Sequence, residues 1–423
     1  MRATSLLKSR LPRATGLSLA LAIAVSGLAA SPAGAAITQS AWTDVGPPSA
    51  PSGLPNSHLS SVSCPSKGIC FAAGDYVDAN KHFGIMVAKQ QDGSWFQAVD
   101  IPQPKDSYPD SVPDLSGISC SSTSDCWAVG SYTDSSFEQQ SMATHFNGTS
   151  WSRAKKITPP ADSSGTSLLA AVACPSSTSC VAVGNYLEQF HGRVAMSTSL
   201  VGDTWSQEKA AKLPKDATDV SPSKFTSVSC VSTTTCWAVG SYLNSRPASA
   251  PIAAEWSAGA FKRAFATAYP NDANLTSVPA VLTSISCSGS AGCLAARTYQ
   301  DGPATGEGFT IVLHGTTWSQ TARKLVLPFD HATEPNLSAV NVGCAASLSC
   351  IVSGRYTSGV DSRVVLTGFT PGRWGAPTGF PSEVNFGSEI DGISCHQATS
   401  CTAVGVSAAF PFTSKATSTI ISR

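Results

Sequence analysis

Paired thiols are the most conspicuous chemistry in this chain. Cys64 and Cys70, Cys120 and Cys126, Cys174 and Cys180, Cys230 and Cys236, Cys287 and Cys293, Cys344 and Cys350, and Cys395 and Cys401 each enclose five residues, and all 14 cysteines are used. A redox couple would use Cys-x-x-Cys, which is absent. Zinc takes four ligands at closer spacing, often with histidine, and only His396 falls inside one of these turns. Disulfides across a hairpin fit best, because opposed residues on antiparallel strands lie about 4.5 to 5.5 Å apart, within disulfide range. Seven short disulfides and no metal are expected.

The other reactive groups are dispersed. The seven histidines show no metal spacing, and no cofactor is expected. There is no Gly-x-Ser-x-Gly, His-Glu-x-x-His, phosphate loop or EF-hand pattern. The charges that stand out lie where the repeats described below disagree. They are Lys81 and His82, Glu138, Glu188 with His191 and Arg193, Arg246, Asp301 with Glu307, Asp361 with Arg363, and Lys415. Loops of this kind often carry function, and with Arg297 they are the candidate binding residues. Arg193, Arg246, Arg297, Arg355 and Arg363 are the arginines a carboxylate-binding site would gather. Glycoside cleavage needs paired carboxylates, and local spacing selects no pair.

The elements that must position these groups follow from the repeat. The first cysteines of successive pairs are 56, 54, 56, 57, 57 and 51 residues apart. Each unit reads as four strands: one before the first cysteine ("LSGISC"), one after the second ("CWAVGSY"), a β-prone third ("FGIMVAK") and a fourth that opens on an aromatic ("GTSWSRAKKI"). Four antiparallel strands per repeat of this length describe a β-propeller blade. Blades are expected over about 57–104, 113–160, 167–215, 223–268, 280–328, 337–380 and 390–422. The last has no room for a fourth strand, and "QSAWTDVGPP" near the start resembles one. Residues 40–48 are therefore expected to complete blade seven and close the ring. Trp42, Trp95, Trp151, Trp205, Phe261, Trp318 and Trp374 keep one register throughout. The expected fold is an all-β, seven-bladed propeller with four antiparallel strands per blade.

Along Trp237-Ala238-Val239-Gly240, large and small side chains alternate between two faces, so the large face of one blade should meet the small face of the next. Trp127 and Trp237 read as core filler. Glycine recurs at Gly74, Gly130, Gly184, Gly240, Gly354 and Gly405, where close backbone approach is expected. Arg297 breaks this pattern, with its guanidinium expected to reach solvent.

Two resemblances follow from these residues. Gly148, Ser150 and Trp151, Gly202, Thr204 and Trp205, and Gly315, Thr317 and Trp318 resemble the end of the Asp-box turn of sialidase-type propellers, with Phe146, Leu200 and Leu313 in place of its Asp. The repeat as a whole resembles the Ser-Cys-x5-Cys-x-Ala-Val-Gly-x-Tyr units of secreted proteins from high-GC Gram-positive bacteria, over nearly all of residues 40–423. That resemblance implies a propeller and export, and it brings no activity.

Export is also read from the first 35 residues. Arg2, Lys8, Arg10 and Arg13 precede an apolar run from Leu17 to Ala30, and Ala33-Gly34-Ala35 is a cleavage signal. Without those four basic residues the chain holds 23 basic and 27 acidic residues, a net charge near −4, which argues against nucleic acid or an anionic membrane as partner. The domain expected over 36–423 is a secreted, extracellular monomer without a membrane span. The leading expectation for function is a non-enzymatic binding or scaffold propeller that presents irregular loops to a protein or glycan. A carbohydrate-active hydrolase or lyase with an axial site is the alternative.

Overall fold

The computed structural model of the protein describes residues 37–47, 56–190, 192–218, 222–245, 249–273, 281–300, 306–359, 361–381, 388–409 and 413–422. The expected leader, His191, Arg246 and Asp301 lie outside them. Seven antiparallel sheets follow one another along the chain, six of them with all their strands in sequence order. Their first strands are Ser57–Ser66, Asp114–Ser122, Ser163–Ser176, Ser223–Cys230, Val281–Cys287, Ser338–Ala345 and Ser388–Gln397. Each of these packs on the first strand of the next sheet, and the last packs on the first. They therefore line the axis of a closed seven-bladed β-propeller.

Ring closure is as the sequence implies. Blade seven consists of Ser388–Gln397, Ser400–Ala409 and Thr413–Ser422. Its outer place is filled from the other end of the chain by Thr38–Gln39 and Thr43–Asp44, both antiparallel to Thr413–Ser422. The outer strand is continuous only in blade four, as Ala260–Ala266, and comes in two pieces elsewhere. Gly93, Gly148, Gly202, Gly259, Gly315 and Gly372 sit just before it at positive φ, which lets the chain reverse tightly between the third and fourth strands.

Blade-to-blade packing follows the alternation of the second strand. Trp237 and Val239 pack toward blade five, against Cys293 and Ala295. Cys236 and Ala238 turn the other way and receive Val181 and Val183 of blade three. Trp127 is 6% exposed and Trp237 is 1% exposed. Both are capped edge-on by the outer tryptophan of the next blade, Trp205 and Trp318, so neither offers a face to a ligand. A Cβ on Gly74, Gly130, Gly184, Gly240 or Gly405 would lie within 2.0 Å of a carbonyl oxygen on the inner strand. Glycine is required there by close approach.

All seven cysteine pairs form disulfides, with Cα separations of 3.8 to 4.1 Å. The preceding serine also has a purpose. The amide of Cys64 donates to Ser394 Oγ, Cys120 to Ser63, Cys174 to Ser119, Cys287 to Ser229 and Cys344 to Ser286, at 2.9 to 3.0 Å. Each bond joins one blade to the next.

Candidate functional site

The second strands end, and the inner strands begin, on the face opposite the disulfide turns. The connections on that face are tied down by a contact that sequence reasoning missed. The tyrosine of the repeated Gly-x-Tyr donates to an aspartate in the connection leading into its own blade: Tyr132 to Asp106, Tyr186 to Asp162, Tyr242 to Asp216, Tyr299 to Asp272 and Tyr356 to Asp330, at 2.9 to 3.3 Å. Each aspartate stands second after a proline whose carbonyl accepts a turn-closing amide. A five-fold Pro-x-Asp pattern was the available signal. Burial, followed by the neighbouring carboxylates, pushes all five phenols up.

This network absorbs several of the candidate residues. Arg363 pairs with Asp330 at 2.5 Å. Glu307 contacts Lys324 and accepts from Tyr299, and Lys415 pairs with Asp44 at 3.1 Å. Arg193 donates to Asn185 at 2.8 Å, and His82 lies 3.2 Å from Asp78. Lys81 is exposed at a loop tip, Glu138 is exposed beside Gln140, Glu188 ends a strand, and Asp361 is exposed at the start of one. The expectation for Arg297 is overturned: it is 1% exposed, with its guanidinium carbon 5.1 Å from the Phe309 ring centroid and Nε bonded to the Thr298 carbonyl at 2.7 Å. It lies on a central strand between packed blades, and a side chain there cannot reach solvent. Burial pulls its pKa down to about 9, which nearby Tyr299 partly offsets.

The groups left half-exposed gather at the loop end of the inner strands. The residue paired with the one after the repeated glycine is His58, Asp114, Leu168, Lys224, Val281, Ser338 or Glu389, from blade one to blade seven. Blades seven, one and two contribute charge side by side. His58 Nε2 lies 3.1 Å from Asp391 Oδ2 of blade seven, and its Nδ1 lies 3.4 Å from Asp75 Oδ1 of its own blade. Ser60 Oγ lies 3.4 Å from the same Nδ1. Burial pulls the imidazole pKa down, but the hydrogen bonds to Asp391 and Asp75 and their charges win, raising it to about 10. His58 is therefore an imidazolium at neutral pH.

Two further carboxyls flank it. Asp114 accepts from Ser116 at 2.5 Å, and burial pushes its pKa up, opposed by Ser116 and helped by the Asp75 charge. Glu389 lies 3.3 Å from Arg355. Burial and the Asp391 charge push it up, against Arg355. The cluster thus offers two cations, His58 and Arg355, carboxylates as acceptors, two carboxyls biased toward the protonated form, and serine hydroxyls. Among the described residues no group of three His, Cys, Asp or Glu is arranged to hold a metal ion. Of the four of those arginines that lie among the described residues, only Arg355 joins this group.

The fold and this cluster define a seven-bladed β-propeller with a charged axial mouth. No family model matches the chain, and no curated protein matches it. Solved structures do. A prolyl endopeptidase aligns over 86% of this chain and 47% of its own at 12% identity, with a TM-score of 0.50. The Hadza microbial sialidase Hz136 aligns over 87% of this chain and 66% of its own at 10% identity and a TM-score of 0.46. An ulvan lyase, described as a new family of polysaccharide lyase, aligns over 83% and 92% at 8% identity and 0.48. The chain thus spans less than two thirds of the sialidase and about half of the endopeptidase, and the likeness is one of fold.

Proposed function

We propose that this protein is an exported propeller that binds a glycan at the mouth formed by blades seven, one and two. The observation that carries the reading is the imidazolium of His58 held between Asp75 and Asp391. A proton held that firmly is a poor shuttle, whereas a fixed cation with carboxylate and hydroxyl neighbours suits a neutral ligand rich in hydroxyls. Several of the loop charges are already paired within their blades, and the mouth takes the place of the irregular loops as the principal seat in this reading. Export accords with seven disulfides, which belong to an oxidising compartment, and with the leader read in residues 1–35.

A second reading, glycoside cleavage, is favoured by the raised carboxyls of Asp114 and Glu389, since a raised carboxyl serves as a general acid. One experiment separates the two. Wild-type protein, Asp391→Asn and Asp114→Asn are titrated with soluble cello-, xylo-, chito- and manno-oligosaccharides by calorimetry, and the mixtures are then chromatographed. Binding without products, weakened about tenfold or more by Asp391→Asn, is expected. Products that vanish in Asp114→Asn would establish the second reading, and affinity untouched by Asp391→Asn would rule out the axial seat.

A further inference from the structure

We infer that the loop joining the second and third strands of blade two is a sugar-stacking platform, so that the ligand is an oligosaccharide running outward from the axial mouth. This rests on the glycan reading above and adds a second subsite to it. The platform is Phe137 with Tyr108.

Phe137 has φ of 64°, a region where a bulky side chain is a true outlier, yet 71% of it is exposed. Its ring is not buried in exchange for the strain; it stands 4.7 Å from the Tyr108 ring centroid, at the surface. Backbone strain held in place by surrounding structure is a mark of functional loops, and here the holding is explicit. Asp134, 5% exposed, accepts from the amides of Ser136 and Glu138 at 2.9 and 3.2 Å. The Phe137 amide donates to the Asp134 carbonyl at 2.9 Å, and the Ser135 amide donates to the Asp106 carbonyl at 2.8 Å. Lys156 pairs with Asp134 at 3.1 Å. Burial works against the Asp134 carboxylate, but Lys156 and the two amides hold its pKa below the usual range.

Blade one contains the same loop. Asp78 accepts from the amides of Asn80 and His82 at 2.8 Å, and Lys81 occupies the tip at φ of 68°. The positive φ therefore belongs to the loop, and its fourth position displays whatever residue the blade supplies. In blade two that residue is an aromatic, paired with a second aromatic on the neighbouring connection.

That connection leads directly to the mouth. Ser111 donates its amide to the Tyr108 carbonyl at 2.9 Å and accepts from the Thr133 amide through Oγ at 2.8 Å. Asp114 is six residues beyond Tyr108, which limits the separation to at most about 22 Å. A rigid aromatic pair within that reach of carboxylates, an imidazolium and hydroxyls matches a chain whose rings have an apolar CH face and polar edges.

The test uses the same oligosaccharide series from one to six residues. For the best-bound series, wild-type affinity should rise about tenfold between the short and long members. Phe137→Gly should erase most of that rise, leave binding of the shortest bound member unchanged, and keep or raise the melting temperature, since glycine prefers this φ. Tyr108→Ala should reproduce the loss of chain-length dependence. A rise with length that survives Phe137→Gly overturns the platform while leaving the axial seat intact, and Asp391→Asn without effect overturns the seat. A wild-type protein whose affinity is flat with length, or that binds no oligosaccharide in the series, also overturns the inference, even where it captures a protein instead.

Discussion

Single side chains in this ring are most informative where they break the repeat. Glu208 occupies a slot that holds Ala98 and Ala154 in blades one and two, one turn of sequence after each outer tryptophan. Its amide bonds the Thr158 carbonyl at 3.0 Å, and the side chain is 2% exposed at the seam of blades two and three, beside the hydroxyls of Ser141 and Ser167. Burial pushes its pKa up to about 8, and the hydroxyls of Ser141 and Ser167 pull only partly back. The folded state therefore retains a proton that the unfolded chain loses near its ordinary value of 4.5. The associated stability is complete below about pH 4.5 and is lost as pH rises toward 8, by up to roughly 5 kcal/mol. Glu208→Gln should flatten that part of the profile and melt above wild type at pH 8.5 by scanning calorimetry. Equal melting of the two at that pH would show that the seam admits water. Arg297 also breaks the repeat, but its cation sits on an aromatic face and uses different chemistry.

Strands and turns were far more legible than the groups they carry. Equal spacing of cysteines and aromatics reveals the blades because every blade solves the same packing problem. His58 and Asp391 are 333 residues apart and meet only because blade seven returns to blade one, so no local pattern could have joined them. The serine bridges lay between these extremes, visible as Ser-Cys but without an evident purpose. Their exceptions follow the sequence: Ala173 and Gly343 precede Cys174 and Cys344, and no serine at that position reaches Cys230 or Cys395. Ser286→Ala removes the acceptor for the Cys344 amide at the seam of blades five and six and should cost about 1 to 2 kcal/mol in denaturant unfolding. Ala173→Ser supplies the missing acceptor beside Cys230 and should restore about 1 kcal/mol. Stability that falls in both variants would mean that packing, and not the bridge, governs the seam.

For the whole ring, the decisive question is what closes it. The closing strand is short, yet its partners are extensive. Thr38 pairs with Ser422, Gln39 with Ile421, Thr43 with Ser418 and Asp44 with Thr417. Ile37 and Val45, which frame it, are 7% and 2% exposed. Gly46 then accepts from the Ala98 amide at 3.0 Å, so the same segment clasps blade seven and hands the chain to blade one. Without it, Thr413–Ser422 would be an unpaired edge, the usual starting point for aggregation. In a linear array each unit depends only on its neighbours, but closing a ring makes every seam internal. Loop-closure entropy grows slowly with length, so even a contact spanning nearly the whole chain can be maintained by modest burial. Ile37→Ala combined with Val45→Ala should lower stability by about 3 to 6 kcal/mol. Hydrogen exchange should locate the loss, with amides of Thr413–Ser422 losing protection well before those of Thr235–Leu243 in blade four. If both segments lose protection together, opening is a property of all seven blades at once, and the terminal clasp is one seam among equals.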